Sequence, residues 1–337
     1  LSEAANSAGH TYLPRELLLE RAAAMLHAPA ELVDAQISHA LLEKMMIGFS
    51  IPDCENALCL PLYYLAESEI ALRLTRLMHA RPYKRVQGLN GRIAEYEKET
   101  GVSFSQTQRK AIRSAVEEGV LVITGGPGTG KTTTVRGIVA LFQKMELNIV
   151  LAAPTGRAAK RMSELTGMEA QTVHRLLGMT WNEAAHQVTF QKTEKEPLEA
   201  EAVIVDEMSM VDVSLFSALL RALRPGTRLV LVGDADQLPS VGAGNVFSDL
   251  IRSKKIETVF LREVFRQAEQ SAIIRNAHRV NLGESPDLKG NQGDFFFLCR
   301  RDAQRAVATV LELCKTRLPD NMHIPAEQIQ VLTPTRK

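Results

Sequence analysis

The spacing of apolar residues separates an N-terminal helical region from the rest of the chain. From residue 17 to about residue 87, apolar side chains recur every three or four positions, which predicts helices with one buried face. Three such segments are 17–28, 31–45 and 65–80. A short pair of strands fits between residues 47 and 62. We therefore expect a small, helix-turn-helix-like domain over residues 1–95.

After Gly101 the pattern changes to short apolar runs that alternate with helical segments. Four runs are rich in apolar and β-branched residues: VLVIT at 120–124, NIVLAAP at 148–154, AVIVDE at 202–207 and RLVLVGD at 228–234. Continuous apolar runs of this kind are typical of parallel strands that are buried on both faces. The pattern predicts an α/β domain over residues 96–258, with helices on both faces of its sheet.

A weaker α/β pattern follows Val259. Residues 265–283 favour a helix, and the segments FFFLCR (295–300) and IQVLTP (329–334) favour strands. We expect residues 259–337 to be the beginning of a second α/β domain. The first residues, LSEAANSAGHTYLP, contain neither an initiator Met nor a signal peptide, so we also expect this chain to be part of a longer protein.

The composition indicates which class of protein this is, but it does not indicate what the protein binds. The chain has 337 residues, of which 45% are hydrophobic and 23% charged, and no run approaches the roughly 18 apolar residues of a membrane helix. The net charge is +1, so a nucleic-acid site would have to be a local patch. The four cysteines contain no C-x-x-C pair, which indicates reduced thiols and a cytoplasmic location.

The most specific motif is a glycine-rich loop between a predicted strand and a predicted helix. Residues 125–132, GGPGTGKT, match the pattern G-x-x-x-x-G-K-[ST] directly after VLVIT. In such a loop the backbone N–H groups surround phosphates, Lys131 reaches the β- and γ-phosphates, and Thr132 takes part in a Mg²⁺ site. A chance glycine-rich turn is the alternative, and the strand, lysine and threonine in register count against it. The predicted nucleotide-binding residues are Gly126, Pro127, Gly128, Thr129, Gly130, Lys131, Thr132 and Thr133.

Two carboxylates end the AVIVDE strand. Because strand ends in a parallel sheet share one edge, Asp206 and Glu207 can both face the phosphate loop. We expect Asp206 to hold Mg²⁺ and Glu207 to orient or deprotonate the attacking water. An ordinary acidic turn would be the better interpretation of an isolated Asp-Glu pair, but the phosphate loop reverses that preference.

These residues alone indicate a P-loop NTPase, which could be a motor, a switch or a loader. Seven segments in order then narrow the choice: Q-x-x-A-I, GGPGTGKTTT, APTGRAAKRMSE, TVHRLLG, DEMSM, GDADQLPSVGAG and LREVFRQ. Over residues 104–267 this order resembles superfamily 1 DNA helicases of the RecD-like type, and it looks most like the stand-alone bacterial form. The resemblance implies an α/β fold: a RecA-like P-loop NTPase sheet, preceded by the small helical domain and followed by an incomplete second RecA-like domain.

The resemblance also implies an activity and several residue roles. The protein would hydrolyse ATP with Mg²⁺, move along single-stranded DNA in the 5′ to 3′ direction and unwind duplex. Gln108 matches the glutamine that reads adenine, and Gln237 matches the one that senses the γ-phosphate. Arg266 matches an arginine that the second motor domain directs at the γ-phosphate. For Arg266 alone, an exposed helix arginine would be the simpler interpretation.

Two further segments match the parts of such helicases that bind single-stranded DNA. One holds Pro154, Thr155, Gly156 and Arg157, and the other holds Thr172, Val173 and His174. Hydroxyl and backbone N–H contacts to phosphates suit a tracking enzyme because they carry no sequence preference. A packed or capping histidine is the simpler interpretation of His174 when it is taken alone.

Residues 179–200 are polar and contain Trp181, the only tryptophan, together with alternating Val188 and Phe190. Their position resembles a hairpin that such helicases insert at the strand junction, so we predict a wedge or strand guide. A surface hairpin without a role in unwinding remains the open alternative.

The chain departs from the family at its C-terminal side. A Thr-x-His-Lys-x-x-Gly-like segment and a late arginine do not occur, and LTPTRK (332–337) looks like the start of that region, with Arg336 near DNA. We therefore expect this chain alone to bind nucleotide and to translocate poorly or not at all. The alternatives are a nucleotide-dependent binding module or switch, and the helicase part of a conjugative relaxase. Expected partners are single-stranded DNA and duplex junctions, with single-strand-binding or recombination proteins as candidates; we expect a monomer and no membrane.

Overall fold

The structure is a computed structural model that describes residues 1–80, 87–182, 187–263, 270–288 and 293–333. The chain divides into two compact units, Leu1–Ala268 and Glu269–Lys337.

The N-terminal region combines helices with a small antiparallel sheet. Its elements are α1 (Ser2–Ala8), β1 (Tyr12–Pro14), α2 (Arg15–Leu26), α3 (Ala30–Leu42), β2 (Ile47–Ile51), β3 (Cys54–Cys59) and α4 (Pro61–His79). The strands are ordered β1–β3–β2, and Leu13, Leu18 and Leu58 belong to the small core beneath them. The three predicted helices and the predicted strand pair are confirmed. The sequence did not predict β1, because a strand of three residues is too short to show an alternating pattern.

A six-stranded parallel sheet forms the centre of the first unit. Its elements are α5 (Leu89–Thr100), α6 (Gln106–Glu117), β4 (Val120–Thr124), α7 (Lys131–Lys144), β5 (Ile149–Ala153), α8 (Gly156–Thr166), β6 (Ala170–Thr172), α9 (Val173–Leu176), β7 (Met179–Asn182), β8 (Gln187–Phe190), β9 (Ala202–Val205), α10 (Val213–Arg221), β10 (Arg228–Gly233), α11 (Val246–Ser253) and β11 (Glu257–Phe260). The strand order is β11–β4–β10–β9–β5–β6, and every pair is parallel. Strands β7 and β8 form a separate antiparallel hairpin.

Both faces of the parallel sheet are covered. Alternate side chains of β4 point to opposite sides: Val120 and Val122 join a core that includes residues of α4, α10 and α11, whereas Leu121 and Ile123 join a core that includes residues of α5, α6, α7 and α8. This arrangement confirms the predicted α/β fold with helices on both faces. Helix α4 of the N-terminal region therefore packs directly on the parallel sheet.

The sheet has six strands, whereas the four apolar runs predict only four. The two additional strands, β6 and β11, lie at its edges. The residues of β6 are all half-buried, and β11 is buried only at Val259, so neither strand shows a continuous apolar run. Since β11 pairs with β4, the first sheet extends to Phe260. Helix α5 spans residue 95. The domain boundaries at residues 95 and 258 stay a proposal.

The second unit is helical in the part that the structure describes. It contains α12 (Ala272–Asn281), α13 (Ala303–Glu312), a π-helical turn (Leu313–Arg317) and α14 (Leu318–Met322). The predicted strands at 295–300 and 329–334 are wrong for residues 295–300 and 329–333, which form no strand. A strand needs a hydrogen-bonded neighbour, and none occurs among the described residues of this unit; Phe296 and Phe297 are exposed instead.

Among the residues with a described position, no helix is both long enough and apolar enough to cross a membrane.

Candidate functional site

The glycine-rich loop leaves β4 at Thr124 and enters α7 at Lys131. Gly128 and Gly130 each adopt a φ of 78°, a left-handed conformation that favours glycine. A Cβ atom on Gly125 would lie 2.6 Å from the Thr129 hydroxyl and 2.7 Å from the Leu261 carbonyl oxygen. The Thr129 hydroxyl itself donates to the Gly126 carbonyl at 2.8 Å. The loop therefore requires glycine for conformation at two positions and for space at a third.

The loop forms one wall of a cavity of about 290 Å³. Its lining residues are Gly126, Pro127, Gly128, Lys131, Thr132, Ala158, Arg161, Met162, Leu165, Asp206 and Glu207. The Lys131 ammonium lies over the loop, where it donates to the Gly125 carbonyl and, at 3.1 Å, to the Gly126 carbonyl. The cavity thus brings Lys131 and Thr132, predicted from the loop motif, together with the two carboxylates predicted from the AVIVDE strand.

Asp206 and Glu207 follow directly after β9 and are held in one fixed turn. The Glu207 backbone N–H donates to the Asp206 carboxylate at 2.8 Å. Glu207 has a φ of 52°, which is uncommon for a residue with a side chain and is found more often at functional sites. This backbone strain at a carboxylate in the cavity supports a functional reason for the turn.

Burial raises the pKa of both carboxyl groups. For Asp206 the increase is opposed by the Glu207 N–H and by the positive charge of Lys131. The negative charge of Asp206 raises the pKa of Glu207 further. A cation would stabilise two half-buried carboxylates of which one raises the pKa of the other, so the pair suits a divalent metal ion.

The described residues contain no cluster of three or more His, Cys, Asp or Glu side chains that could hold a metal ion. A Mg²⁺ site of the nucleotide type does not need such a cluster, because Mg²⁺ is usually held by one or two carboxylates together with phosphate oxygens and water. Thr132, Asp206 and Glu207 line the cavity with side-chain oxygens, and Thr132 and Asp206 are the two that the sequence predicts as metal ligands.

The loop after β10 lies at the same edge of the sheet. The Thr124 hydroxyl accepts a hydrogen bond from the Ala235 N–H at 3.1 Å, which ties this loop to the end of β4. Asp234 is buried, and its carboxylate accepts from the Asp236 N–H at 3.1 Å. The Gln237 side-chain oxygen accepts from the Ser209 hydroxyl at 3.4 Å. Ser209 was not among the residues predicted from the sequence, and it links Gln237 to the turn that carries Glu207.

Gln108 is almost fully buried, and its side-chain amide has protein partners at both ends. The oxygen accepts from the Ser105 N–H at 3.0 Å, and the Nε2 group donates to the Gly130 carbonyl at 3.2 Å. The first contact belongs to a capping box at the start of α6. Gln108 therefore connects α6 to the phosphate loop. Adenine recognition by Gln108 stays a prediction, and it requires the amide to exchange one of these partners.

The two predicted strand-binding segments lie side by side. β5 and β6 are parallel neighbours in which Ala153 pairs with Thr172, so the segments 154–157 and 172–174 leave the sheet together. Thr155 and Thr172 are the N-caps of α8 and α9, and each hydroxyl accepts a backbone N–H at 3.2 Å. Val173 is fully buried and anchors the second segment, whereas His174 is half-buried. These segments share the carboxyl edge of the sheet with the nucleotide cavity.

Three predicted elements remain to be located. Arg266 and Arg336 lie outside the described residues. Residues 179–182 and 187–190 form the two strands of the predicted hairpin, in which Trp181 pairs with Val188 and is 60% exposed.

Sequence reasoning missed Arg161, which lines the nucleotide cavity. The spacing of residues 158, 161, 162 and 165, which share one face of a helix, was the available signal.

Comparison with known proteins finds a matching family and several relatives in sequence. A family model described as AAA domain matches residues 108–243. The ATP-dependent RecD2 DNA helicase of Deinococcus radiodurans is 37% identical over 232 residues, which are 69% of this chain and 31% of that protein. The RecBCD enzyme subunit RecD of Mycolicibacterium smegmatis is 39% identical over 219 residues, covering 58% and 38%, and that of Mycobacterium tuberculosis is 44% identical over 167 residues, covering 43% and 28%.

These similarities confirm the RecD-like superfamily 1 resemblance predicted from the motifs. The chain covers about a third of the length of these relatives, which include both a RecD2 DNA helicase and RecBCD enzyme subunits.

Proposed function

We propose that this chain is the ATP-hydrolysing part of a DNA helicase that moves along single-stranded DNA and unwinds duplex. The observation that carries the proposal is the shared edge of one parallel sheet. The phosphate loop, the Asp206–Glu207 turn and the two strand-binding segments all leave the carboxyl ends of its strands. The names of the relatives, among them an ATP-dependent DNA helicase, support this choice.

In this proposal the cavity binds the triphosphate of ATP. The backbone N–H groups of residues 126–133 and the Lys131 ammonium contact phosphate oxygens. Thr132 and Asp206 would hold Mg²⁺, which would supply positive charge to the phosphates when bound. Glu207 orients the attacking water and accepts its proton, a role that its position next to Asp206 and its raised pKa both suit.

Three more residues complete the proposed nucleotide site. Gln237 senses the γ-phosphate, and its contact with Ser209 supports a connection to the Glu207 turn. Gln108 reads adenine, and Arg266 stabilises charge that develops in the transition state. The roles of Gln108 and Arg266 come from the motif resemblance alone.

Single-stranded DNA would cross the end of the sheet at β5 and β6. There Pro154, Thr155, Gly156 and Arg157 lie beside Thr172 and His174 and can contact phosphates without reading bases. Arg336 is proposed as a further DNA contact. The exposed Trp181 suits a hairpin that meets bases at the duplex junction. Movement in the 5′ to 3′ direction is proposed from the resemblance to stand-alone RecD-like helicases.

We propose a monomer in the cytoplasm that meets single-strand-binding or recombination proteins on DNA. The four cysteines are free. Burial is the main cause that raises the pKa of the Cys59 thiol to about 11, so this thiol is protonated and unreactive at neutral pH.

The test is steady-state ATP hydrolysis by the full-length protein, with and without an unstructured oligo(dT) strand. A motor should turn over ATP much faster when the strand is present, and Lys131→Ala should hydrolyse none under either condition. A nucleotide-dependent switch would hydrolyse ATP at the same rate with and without the strand, and that result would refute the proposal.

A further inference from the structure

Helix α8 faces the nucleotide cavity with a continuous stripe. Ala158, Arg161, Met162 and Leu165 all line the cavity, and their spacing of three, one and three residues places them on one side of the helix. Met162 is buried in the core beneath the sheet, which fixes the orientation of the stripe. Arg161 is the one charged member of the stripe, and its orientation is a consequence of how α8 packs.

Arg161 acts on the same two carboxylates as the phosphate-loop lysine. The positive charges of Lys131 and Arg161 each lower the pKa of Asp206 and of Glu207, against the larger increase caused by burial. Within the described part of the chain, no carboxylate lies within 4 Å ion-pair distance of the Arg161 guanidinium. Arg161 therefore faces the cavity as a cation that is near both carboxylates and is not bound to either.

A bound triphosphate would need more positive charge than the phosphate loop supplies, and Arg161 is a cation in the right place to supply it. A triphosphate carries several negative charges into a cavity that already contains two carboxylates, and the phosphate loop supplies one cationic side chain, Lys131. A guanidinium can bind two oxygens of one phosphate in a fixed plane, a geometry that an ammonium lacks. Arg161 lines the cavity from α8 and not from the phosphate loop, so it is a second, separate cation available to the phosphate chain.

We propose that Arg161 binds the terminal phosphate of the bound triphosphate, and that α8 thereby connects the nucleotide to the strand-binding segment. The proposal rests on the proposed function. Gly156 is both the first residue of α8 and part of the segment 154–157. Arg161 lies five positions further along α8, a distance of about 7.5 Å along a rigid helix. Movement of the segment on binding DNA would therefore move the guanidinium relative to the γ-phosphate.

The experiment compares Arg161→Ala and Arg161→Gln with Lys160→Ala in the full-length protein. Lys160 is the matched control: it is the neighbouring cation on α8, its side chain is 81% exposed, and it faces Glu164 at 4.0 Å rather than the cavity. The first measurement is the affinity for fluorescent ADP and for a fluorescent non-hydrolysable ATP analogue. Both Arg161 variants should lose at least tenfold affinity for the triphosphate and keep the wild-type affinity for ADP, whereas Lys160→Ala should keep both.

The second measurement is oligo(dT)-stimulated ATP hydrolysis. The Arg161 variants should fall at least tenfold in kcat, since removal of one preorganised donor to developing charge typically costs about 10²-fold to 10³-fold. Arg161→Lys should recover part of this loss because it restores the charge without the planar fork. Circular dichroism should show unchanged folding, since Arg161 is exposed.

The outcomes separate this inference from the proposed function. If the wild type is stimulated by oligo(dT) and the Arg161 variants bind and hydrolyse like Lys160→Ala, the inference is wrong and the helicase proposal stands. Equal loss of ADP and triphosphate affinity in the Arg161 variants would also overturn it, because that result indicates a structural role. If the wild type itself shows no stimulation, the proposed function fails.

Discussion

At the scale of single residues, the turn after β9 has the clearest chemical consequence. It holds two carboxyl groups next to each other, and a hydrogen bond from the Glu207 backbone engages the Asp206 carboxylate. Both carboxylates line the cavity, but Asp206 accepts this bond and is the more deeply buried of the two, whereas no described group donates to the Glu207 carboxylate. This difference supports separate roles, with Asp206 as a metal ligand and Glu207 as the base.

Glu207→Gln should keep nucleotide affinity and lose turnover. The amide preserves size and hydrogen bonding but cannot accept a proton, so kcat should fall by roughly 10²-fold to 10⁴-fold. Titration with fluorescent ADP and phosphate-release kinetics measure the two properties. Lys131→Ala is the comparison, since it should lose hydrolysis and also bind nucleotide more weakly. Unchanged turnover in Glu207→Gln would show that another group is the base.

The pH dependence should report the raised pKa of Glu207. Burial and the neighbouring Asp206 charge favour the protonated form, so kcat/KM should fall with decreasing pH at a pH above the usual titration range of glutamate. Asp234 contributes to the same increase, so Asp234→Asn should lower the pKa of Glu207 and shift this acidic limb to lower pH. Steady-state rates across the pH range test the shift. An acidic limb at the same pH in both proteins contradicts the assignment.

The place of a residue in the site was predictable where a motif fixes both the residue type and the strand or helix beside it. Lys131, Thr132, Asp206 and Glu207 line one cavity because the loop after β4 and the turn after β9 leave the same edge of one sheet, with only β10 between the two strands. The buried position of Gln108 was not predictable, since its contact with the Gly130 carbonyl depends on how α6 packs against α7. The place of Arg161 in the cavity was not predictable for a similar reason, since it depends on how α8 packs.

At the scale of elements, close packing between α6 and α7 positions the phosphate loop. Gly137 of α7 lies against Phe104 and Ile112, and a Cβ atom there would lie 2.7 Å and 2.8 Å from side-chain atoms of these two residues. Gly137 thus allows α7 to approach α6 closely. Lys131 is the first residue of α7, and Gln108 lies in the first turn of α6.

Gly137→Ala should therefore destabilise the protein, although alanine favours helix formation. Overpacking costs about 1–3 kcal/mol, and the gain in helix propensity is about 1 kcal/mol. Gly91→Ala is the matched control, because Gly91 also lies within a helix and a Cβ atom there has no neighbour within 4 Å. Urea denaturation should show a lower midpoint for Gly137→Ala and an unchanged or higher one for Gly91→Ala. A Gly137→Ala midpoint at or above that of the wild type would show that the helices can separate at no cost.

The β7–β8 hairpin gives a prediction about unwinding. Trp181→Ala should slow the unwinding of a forked duplex and leave oligo(dT)-stimulated ATP hydrolysis unchanged, because the exposed ring lies on the hairpin and not in the nucleotide cavity. Trp181→Phe keeps an aromatic surface and should unwind at a rate close to that of the wild type. Strand-displacement and ATPase assays on the same preparations provide the comparison. Equal loss of both activities in Trp181→Ala would refute a wedge role.

Elements were predictable from sequence when they are buried on two faces. The four central strands are continuous apolar runs, whereas β6 and β11 lie at the edges and mix polar with apolar residues. The reverse error occurred at residues 295–300, where an apolar run predicted a strand that has no described partner. An apolar run records a tendency to be buried, and a strand also requires a neighbour to accept its hydrogen bonds.

At the scale of the whole molecule, sheet topology explains why the site is where it is. β4 lies between β10 and β11, so the phosphate loop leaves the sheet next to two strands that come much later in the chain. The strand-binding segments follow β5 and β6 on the other side of β9, and α8 links them to the nucleotide cavity. Nucleotide and DNA would thus bind to one rigid sheet at neighbouring strand ends.

The central claim is that these two sites are coupled, and one equilibrium measurement tests it most directly. The affinity of the full-length protein for a non-hydrolysable ATP analogue is measured with and without saturating oligo(dT). A coupling free energy of about 1–3 kcal/mol corresponds to a change of roughly 5-fold to 150-fold. We expect the strand to tighten analogue binding by at least about fivefold, in the lower part of that range. Identical affinities with and without the strand would contradict the account.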